Sequence, residues 1–200
     1  MATVVEILVK LIPVKGSTGP EQQDAVEFRY TGLNQAGKEA LLNRAGDLNL
    51  RVVKSDVILR FVIDDDAISW GGGSTWKASL PTTGGDALWI FDNVLDKKPY
   101  ADADKEFDGF KHPANYQRPA VEVTNRNKKL HIYDYALAVV LTPTGGGRPV
   151  TVRDDPQIKN GGLNIAATWT VPQRVLGLLL GLTSLLLAAN LVVQIFGFGR

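Results

Sequence analysis

The residues of this chain that could bind a ligand are mostly aromatic. Six of them fall between residues 70 and 116, in a stretch rich in turn-forming residues: Trp70, Trp76, Trp89, Tyr100, Phe110 and Tyr116. Long loops that carry aromatic side chains are frequent binding surfaces, because a rigid scaffold holds them in place. The same side chains could instead form a small core that packs the loop down. The sequence leaves both interpretations open.

Acidic residues supply a second, weaker candidate, a calcium site. Carboxylate oxygens are the ligands that Ca²⁺ prefers, and three stand at short spacing: Asp102, Asp104 and Asp108. An EF-hand loop starting at Asp102 would need glycine at its sixth position and glutamate at its twelfth, where this chain has Phe107 and Pro113. An EF-hand is therefore excluded. Solvated loop carboxylates are the favoured interpretation, and we predict no metal.

The chain has few of the residues that catalysis or transition-metal binding requires. The chain has no cysteine, one methionine and two histidines, His112 and His131, too few for a copper or zinc site. No GxSxG, HExxH or Walker sequence is present. The glycine-rich run at 71–77 looks superficially like a phosphate loop, but its lysine is misplaced, and it predicts a turn between strands. The sequence therefore predicts a protein that is not an enzyme and holds no cofactor.

The charge balance argues against nucleic acid as a partner. The whole chain has 22 basic and 21 acidic residues. Without Arg174 and Arg200, residues 1–171 carry 20 basic and 21 acidic residues, a net charge of −1. A nearly neutral domain exerts no long-range attraction on a polyanion.

The C-terminal residues are predicted to span a membrane. Val175–Phe198 is a run of 24 residues without a charge. At about 1.5 Å per residue this run would extend roughly 36 Å, enough to cross a hydrocarbon core of about 30 Å. Arg174 and Arg200 bracket it and Trp169 precedes it, as side chains at the membrane interface commonly do. We therefore expect a soluble domain at 1–171 and a transmembrane anchor at 172–200, with the lipid bilayer as a partner.

The N-terminal sequence predicts the orientation. The first apolar run is interrupted by Glu6 and Lys10, so it lacks the continuous apolar stretch of a signal peptide. Without such a signal the soluble domain is expected to stay in the cytosol. The prediction is a tail-anchored, single-pass membrane protein.

The pattern of the predicted anchor suggests assembly through the membrane. Small residues form one stripe of the helix, at Gly177, Gly181, Ser184 and Ala188. Small residues let helix backbones approach closely in lipid. Polar residues form a nearly opposite stripe, at Thr183, Asn190 and Gln194, and amides in hydrocarbon are costly without partners. Two such faces favour a homo-oligomer or contact with other membrane subunits; a passive anchor is the alternative.

The rest of the chain predicts a mainly β domain. Apolar residues alternate in short runs separated by turn signals, which is typical of a sandwich or barrel. The first run ends at Pro13, which predicts an edge strand, and 35–44 is the one helical patch. Residues 133–137 resemble the pattern around a tyrosine corner. The preferred architecture is an immunoglobulin-like or cupredoxin-like β-sandwich. The predicted strands are 3–14, 26–31, 48–53, 56–63, 120–125, 130–141, 148–154 and 163–171, and 87–91 is an apolar run within the least regular stretch, residues 81–120.

Three functions are compatible with this organisation. The first is a membrane-tethered recognition or scaffold module, in which the β-sandwich binds a partner and the helix mediates assembly in the membrane. The second is a membrane effector that oligomerises to form a pore or to disrupt the bilayer. The third is an accessory subunit of a larger membrane complex.

Overall fold

The computed structural model describes residues 2–22, 24–53, 55–64, 66–71, 73–91, 106–114, 116–128 and 130–160. These residues are 50% strand and 9% helix, which confirms the predicted mainly β class. They all belong to the first of two compact units, Met1–Leu163 and Asn164–Arg200. No helix within the described ranges is long and apolar enough to cross a membrane. The predicted transmembrane helix, its interface residues and the boundary at 171/172 lie outside the described residues.

Twelve strands and two short helices form the described part of the chain. The helices are α1 (Gln35–Ala40) and α2 (Gly84–Ala87), and a 3₁₀ turn covers Leu50–Val52. The strands are β1 (Thr3–Pro13), β2 (Val26–Gly32), β3 (Leu48–Asn49), β4 (Val57–Ile63), β5 (Ile68–Ser69), β6 (Thr75–Ser79), β7 (Leu88–Phe91), β8 (Phe107–Lys111), β9 (Ala120–Asn125), β10 (Ile132–Pro143), β11 (Val150–Asp154) and β12 (Gln157–Lys159).

The strands form two sheets. The first has the order β2-β1-β4-β9-β8, and its one parallel pair is β1 with β4. The second has the order β3-β12-β10-β6-β5, with β7 and β11 also paired to β10. The long β10 therefore organises the second sheet. β10 and β11 form a hairpin, with Leu141 opposite Val150.

A single hydrophobic core lies between the sheets. Alternate residues of β1 point into it, since Val5, Ile7 and Val9 are buried while the residues between them are not. Aromatic rings join the two layers: the Phe61 and Tyr135 centroids are 5.1 Å apart, and those of Phe107 and Tyr133 are 4.9 Å apart. The described strands thus form two facing sheets.

Tyr135 connects the core to a distant loop. Its buried hydroxyl donates a hydrogen bond of 2.7 Å to the carbonyl oxygen of Gly46, between α1 and β3. A tyrosine corner would place this acceptor a few residues upstream of the tyrosine. The acceptor lies 89 positions upstream, in a loop, so this contact of Tyr135 is not a tyrosine corner.

The predicted edge strand at the N-terminus is wrong. β1 pairs with β2 on one side and with β4 on the other. Pro13 is tolerated because the pairing with β4 stops at Val9 opposite Ile63, whereas the pairing with β2 continues to Pro13. The proline, which has no N–H to donate, therefore occupies the part of β1 that has a strand partner on one side alone.

Other differences follow from contacts that are remote in sequence. The predicted helix at 35–44 stops at Ala40, and Leu41 instead bridges to Leu48. The predicted strand at 48–53 is mostly the 3₁₀ turn, whose residue Leu50 is buried. β8 forms within a stretch that shows no regular pattern, because it pairs with β9 across a register shift between Asp108 and Lys111.

Candidate functional site

The described residues enclose a cleft of about 300 Å³ at one end of β1. This volume is at the lower end for sites that bind small ligands or single side chains. We call it the Lys10 cleft. Its walls are residues 10–13 from β1, Asp64 just after β4, and residues 66–69, which include β5.

The cleft exists because two pairings of β1 end at different places. Beyond the last pair with β4, one further backbone bond joins Asp64 N–H to the carbonyl oxygen of Val9, at 2.9 Å. In a strand, the backbone N–H and C=O groups of successive residues face opposite sides. Those of Leu11 therefore point the same way as those of Val9, away from β2. The opposite wall belongs to the second sheet, where β5 pairs with β6. The cleft thus combines an open strand edge with the rim of the facing sheet.

Three charged side chains line the cleft. The Lys10 ammonium nitrogen lies 3.4 Å from an oxygen of Asp64 and 3.9 Å from an oxygen of Asp66. The Asp64 side chain is 11% exposed, whereas that of Asp66 is 78% exposed. Ion pairs with an exposed partner contribute little to stability, so a ligand can replace Lys10 without a large cost. With two carboxylates to one ammonium, the site suits a cationic or hydrogen-bond-donating group beside an apolar wall.

The described residues of the Lys10 cleft supply two carboxylates and no third metal ligand. Within the described ranges, no three His, Asp or Glu side chains are grouped so that they could hold a metal ion. Asp102 and Asp104 lie outside those ranges. Asp108 pairs with Arg126, whose nitrogen is 2.9 Å from its carboxylate oxygen.

Two of the predicted aromatic residues stand behind the cleft wall. Trp70 follows β5 directly, and Trp76 on β6 is paired with Ile68. Both are buried in the core, and their rings meet edge to face with centroids 6.0 Å apart. Within the described part of the chain neither indole N–H has a hydrogen-bond partner. These tryptophans therefore support the cleft from inside the core.

The other predicted aromatic residues do not join them. The Trp89 ring stacks on the Arg153 guanidinium of β11 at 4.1 Å. Phe110 packs against the core from β8, and Tyr116 lies over the first sheet. Tyr100 lies outside the described residues. The six aromatics thus form no common surface among the described residues.

Tyr116 is held by a charged row that crosses the first sheet. The row comprises Glu6, Arg60, Glu122 and Lys111, on β1, β4, β9 and β8. The Arg60 guanidinium is 3.2 Å from Glu6 and 2.9 Å from Glu122. Tyr116 donates its hydroxyl to Glu6, and its ring lies 5.1 Å from the Arg60 guanidinium carbon. Burial, followed by the Glu6 bond, raises the pKa of Tyr116 above its usual value.

Sequence reasoning did not assign Lys10, Asp64, Asp66 and Ile68 to one site. The acidic run at 64–66 is visible in the sequence as the polar end of a strand, and Lys10 as a charge inside an apolar run. Neither feature says that the two meet. The parallel register of β1 and β4 brings them together, with Val9 opposite Ile63.

A half-buried carboxylate links the two sheets away from the cleft. Tyr30 on β2 donates its hydroxyl to Asp154 on β11 at 2.9 Å. Burial raises the pKa of Tyr30 well above its usual value, and burial also raises the pKa of Asp154 despite this hydrogen bond. The folded protein therefore binds a proton at Asp154 more tightly than the unfolded chain does.

This raised pKa predicts a specific dependence of stability on pH. Above the usual value of 3.8, the folded protein holds a proton on Asp154 that the unfolded chain has already released. The free energy of unfolding contributed by Asp154 therefore falls as pH rises through that window. Asp154→Asn keeps an acceptor for Tyr30 and cannot ionise, so its stability should change less with pH. Urea unfolding of both proteins between about pH 4 and 6 measures the difference; parallel profiles would contradict the prediction.

Comparison with known proteins gives no family. No protein-family model matches the chain, and no curated protein matches its sequence. Among solved structures, the chain is similar to an inclusion body protein (PixA) from Burkholderia cenocepacia J2315, with 12% identity and a TM-score of 0.37. The match covers 80% of this chain and 96% of the other. A likeness of this size supports no inference about function.

Proposed function

We propose that the protein is a membrane-tethered recognition module without enzymatic activity. In this proposal its β domain binds a partner through the Lys10 cleft, and its C-terminal segment holds the domain at a membrane. The observation that carries the proposal is the position of the cleft. It opens at the Pro13 end of β1, whereas the last described residue, Asn160, is tied to the other end of the domain.

Hydrogen bonds and strand pairs support this separation. Thr3, at the start of β1, is opposite Val57, which is also opposite Asn125. The side chains of Asn125 and Asn160 bond to each other at 2.7 and 3.1 Å. β1 has 11 residues; at roughly 3.3 Å per residue they span about 33 Å. A membrane at the Asn160 end would leave the cleft facing away from the lipid.

The sequence supports the tether and the remaining parts of the proposal. The uncharged run of 24 residues at 175–198 is long enough to cross a bilayer. In this proposal the domain lies on the cytosolic side of that bilayer. The small-residue and polar stripes of the run support self-association through the helix. Two facing sheets are compatible with an immunoglobulin-like or cupredoxin-like sandwich.

The tether is tested by fractionation of cells that express the full chain. The full chain should remain with the membranes after washing with alkaline carbonate, and a chain that stops after Val171 should be recovered in the soluble fraction. Release of the full chain by carbonate would overturn the tether. Mass measurement of the detergent-purified protein reports self-association in the same preparation.

The cleft is tested by photo-crosslinking in the same cells. Ser69 is an exposed residue of the cleft wall, and Thr151 on β11 is an exposed control position. A photoreactive residue at 69 should give a discrete adduct, which Asp66→Lys should abolish and which the control Asp155→Lys should leave unchanged. Adducts that ignore the charge at 66, or that form equally from 151, would contradict recognition by the Lys10 cleft.

A further inference from the structure

One edge of β1 carries backbone groups that no described residue pairs. The Val14 N–H donates to the Ala25 carbonyl oxygen, directly before β2, at 2.9 Å, whereas the Val9 carbonyl oxygen accepts its hydrogen bond from the β4 side. Even-numbered residues of β1 therefore turn their backbone groups toward β2, and odd-numbered residues turn theirs toward β4. Leu11 and Pro13 are odd-numbered and lie beyond the last pair with β4. Their backbone groups therefore face the Lys10 cleft.

Three of these groups form what we call the open edge of β1: the Leu11 N–H, the Leu11 carbonyl and the Pro13 carbonyl. Within the described ranges none of the three has a hydrogen-bond partner. An unpaired strand edge is a template for another extended chain. The two carbonyls are two residues apart, roughly 6.6 Å along the strand, which matches the spacing of N–H groups on alternate residues of an extended peptide. The open edge therefore suits a peptide backbone.

The side chains on the two faces beside the open edge differ in chemistry. On the outer face of the first sheet, the carboxylates of Asp64 and Asp66 lie beside the ammonium of Lys10. On the core side lies Ile68, which is 7% exposed and pairs with Trp76 in the second sheet. Successive residues of an added strand would point to these two faces in turn. The cleft therefore favours a strand in which a basic residue alternates with apolar ones.

The charges beside the cleft favour a cation as the ligand. Among the described side chains that line it, two carboxylates stand against one ammonium. The adjacent charges on β2 are Arg29, which is opposite Lys10, and Glu27, and these two pair with each other. They therefore leave the excess of negative charge in the cleft available to a basic side chain.

We propose that the Lys10 cleft binds an extended peptide of a partner protein, which adds to the open edge of β1 in line with β4 and carries a lysine or arginine between apolar residues. This inference rests on the proposed recognition and names the chemistry of its partner. Alternate N–H groups of the peptide donate to the two open carbonyls, and the basic side chain binds Asp66, which is 78% exposed. In strand addition, main-chain hydrogen bonds supply affinity and pockets for alternate side chains supply specificity.

Selection from a random library of seven-residue peptides, with the detergent-purified full chain as the target, tests the sequence of the strand. The selected peptides should share a lysine or arginine with an apolar residue on each side. Asp66→Lys should weaken the binding of a selected peptide by about tenfold, because it brings two like charges together. The matched control Asp155→Lys, also at an exposed carboxylate, should leave the affinity unchanged.

N-methylation of a selected peptide, one amide at a time, tests the main-chain contacts. Methylation of an N–H that donates to the open edge should lower the affinity by about tenfold, since the hydrogen bond is lost. The sensitive amides should be two residues apart, and the amide between them should tolerate the change. Ala67→Trp, at an exposed residue of the cleft wall, should block binding, whereas Thr151→Trp on β11 should not.

Four results would overturn the strand addition: no selected peptide, selected peptides without a basic residue, equal affinity of the Asp66→Lys variant, or N-methyl effects that do not alternate. None of these changes the adduct from position 69 in cells, so the proposed recognition stands or falls separately, on that adduct. A dimer of the purified chain that Asp66→Lys dissociates would assign the cleft to a second copy of the chain, and would also overturn the inference.

Discussion

Gly37→Ala is expected to destabilise the domain by about 3 kcal/mol, although alanine is the better helix former. Gly37 lies in α1, where it accepts the N–H of Leu41 and donates its own N–H to Asn34. A Cβ atom at this position would stand 2.2 Å from the carbonyl oxygen of Glu6 on β1. Backbone atoms on both sides of the contact cannot yield as a flexible side chain can. The steric cost therefore exceeds the gain of about 1 kcal/mol in helix propensity.

Gly85→Ala is the matched control, since Gly85 lies in the other short helix, α2. A Cβ atom there would meet nothing within 4 Å. This variant should be as stable as the parent or more stable by up to about 1 kcal/mol. Urea unfolding at one pH measures both variants. Equal effects would show that α1 does not pack on β1 as closely as the Glu6 contact requires.

Arg60→Met is expected to cost about 2 kcal/mol, less than breaking a fully buried ion pair, because the Arg60 side chain is 22% exposed. Arg60 is the one cation that contacts both Glu6 and Glu122 in the charged row, and the Glu122 side chain is 10% exposed. Methionine fills much of the same volume without the charge. Two carboxylates would then lose their shared partner, and the ring of Tyr116 would lose the guanidinium beneath it.

Arg29→Met controls for the loss of an arginine from the same sheet. Arg29 binds Glu27 with two nitrogens, at 2.8 and 3.2 Å, on the exposed face of β2. Both partners are open to water, so this substitution should change the unfolding midpoint little. A further variant, Arg60→Met with Glu122→Gln, should recover part of the loss because it removes a buried charge. No recovery would argue that Arg60 stabilises the sheet by packing alone.

The elements that could be predicted from the sequence are those with a clear local pattern, such as alternating apolar residues or a glycine-rich turn. The alternation at 26–31 corresponds to β2, where Phe28 and Tyr30 are buried while Glu27 and Arg29 are exposed, and the glycine-rich loop after β10 forms a hairpin. Binary alternation reports which face of a strand is buried, whichever strand lies beside it. Short elements such as β5 and β12 carry too few residues to show such a pattern.

The candidate site depends on the pairing of strands that are remote in sequence, which the sequence alone does not predict. Lys10 and Asp64 are 54 positions apart, and their contact follows from a parallel register between strands that no turn connects. The burial of Trp70 and Trp76 likewise follows from the meeting of the two sheets, since an aromatic-rich loop has the same composition whether it faces solvent or core.

The sequence by itself determined the class of the domain, the scarcity of catalytic and metal-binding side chains, and the long uncharged run at the C-terminus. These are properties of composition and local period, which each segment carries alone. The tertiary structure decided that β1 is paired on both sides, and that the two pairings end at different residues and leave the Lys10 cleft. These features depend on the register between strands that are remote in sequence. The packing of the whole core, and not the neighbours in the chain, sets which side chains lie beside each other in a sheet.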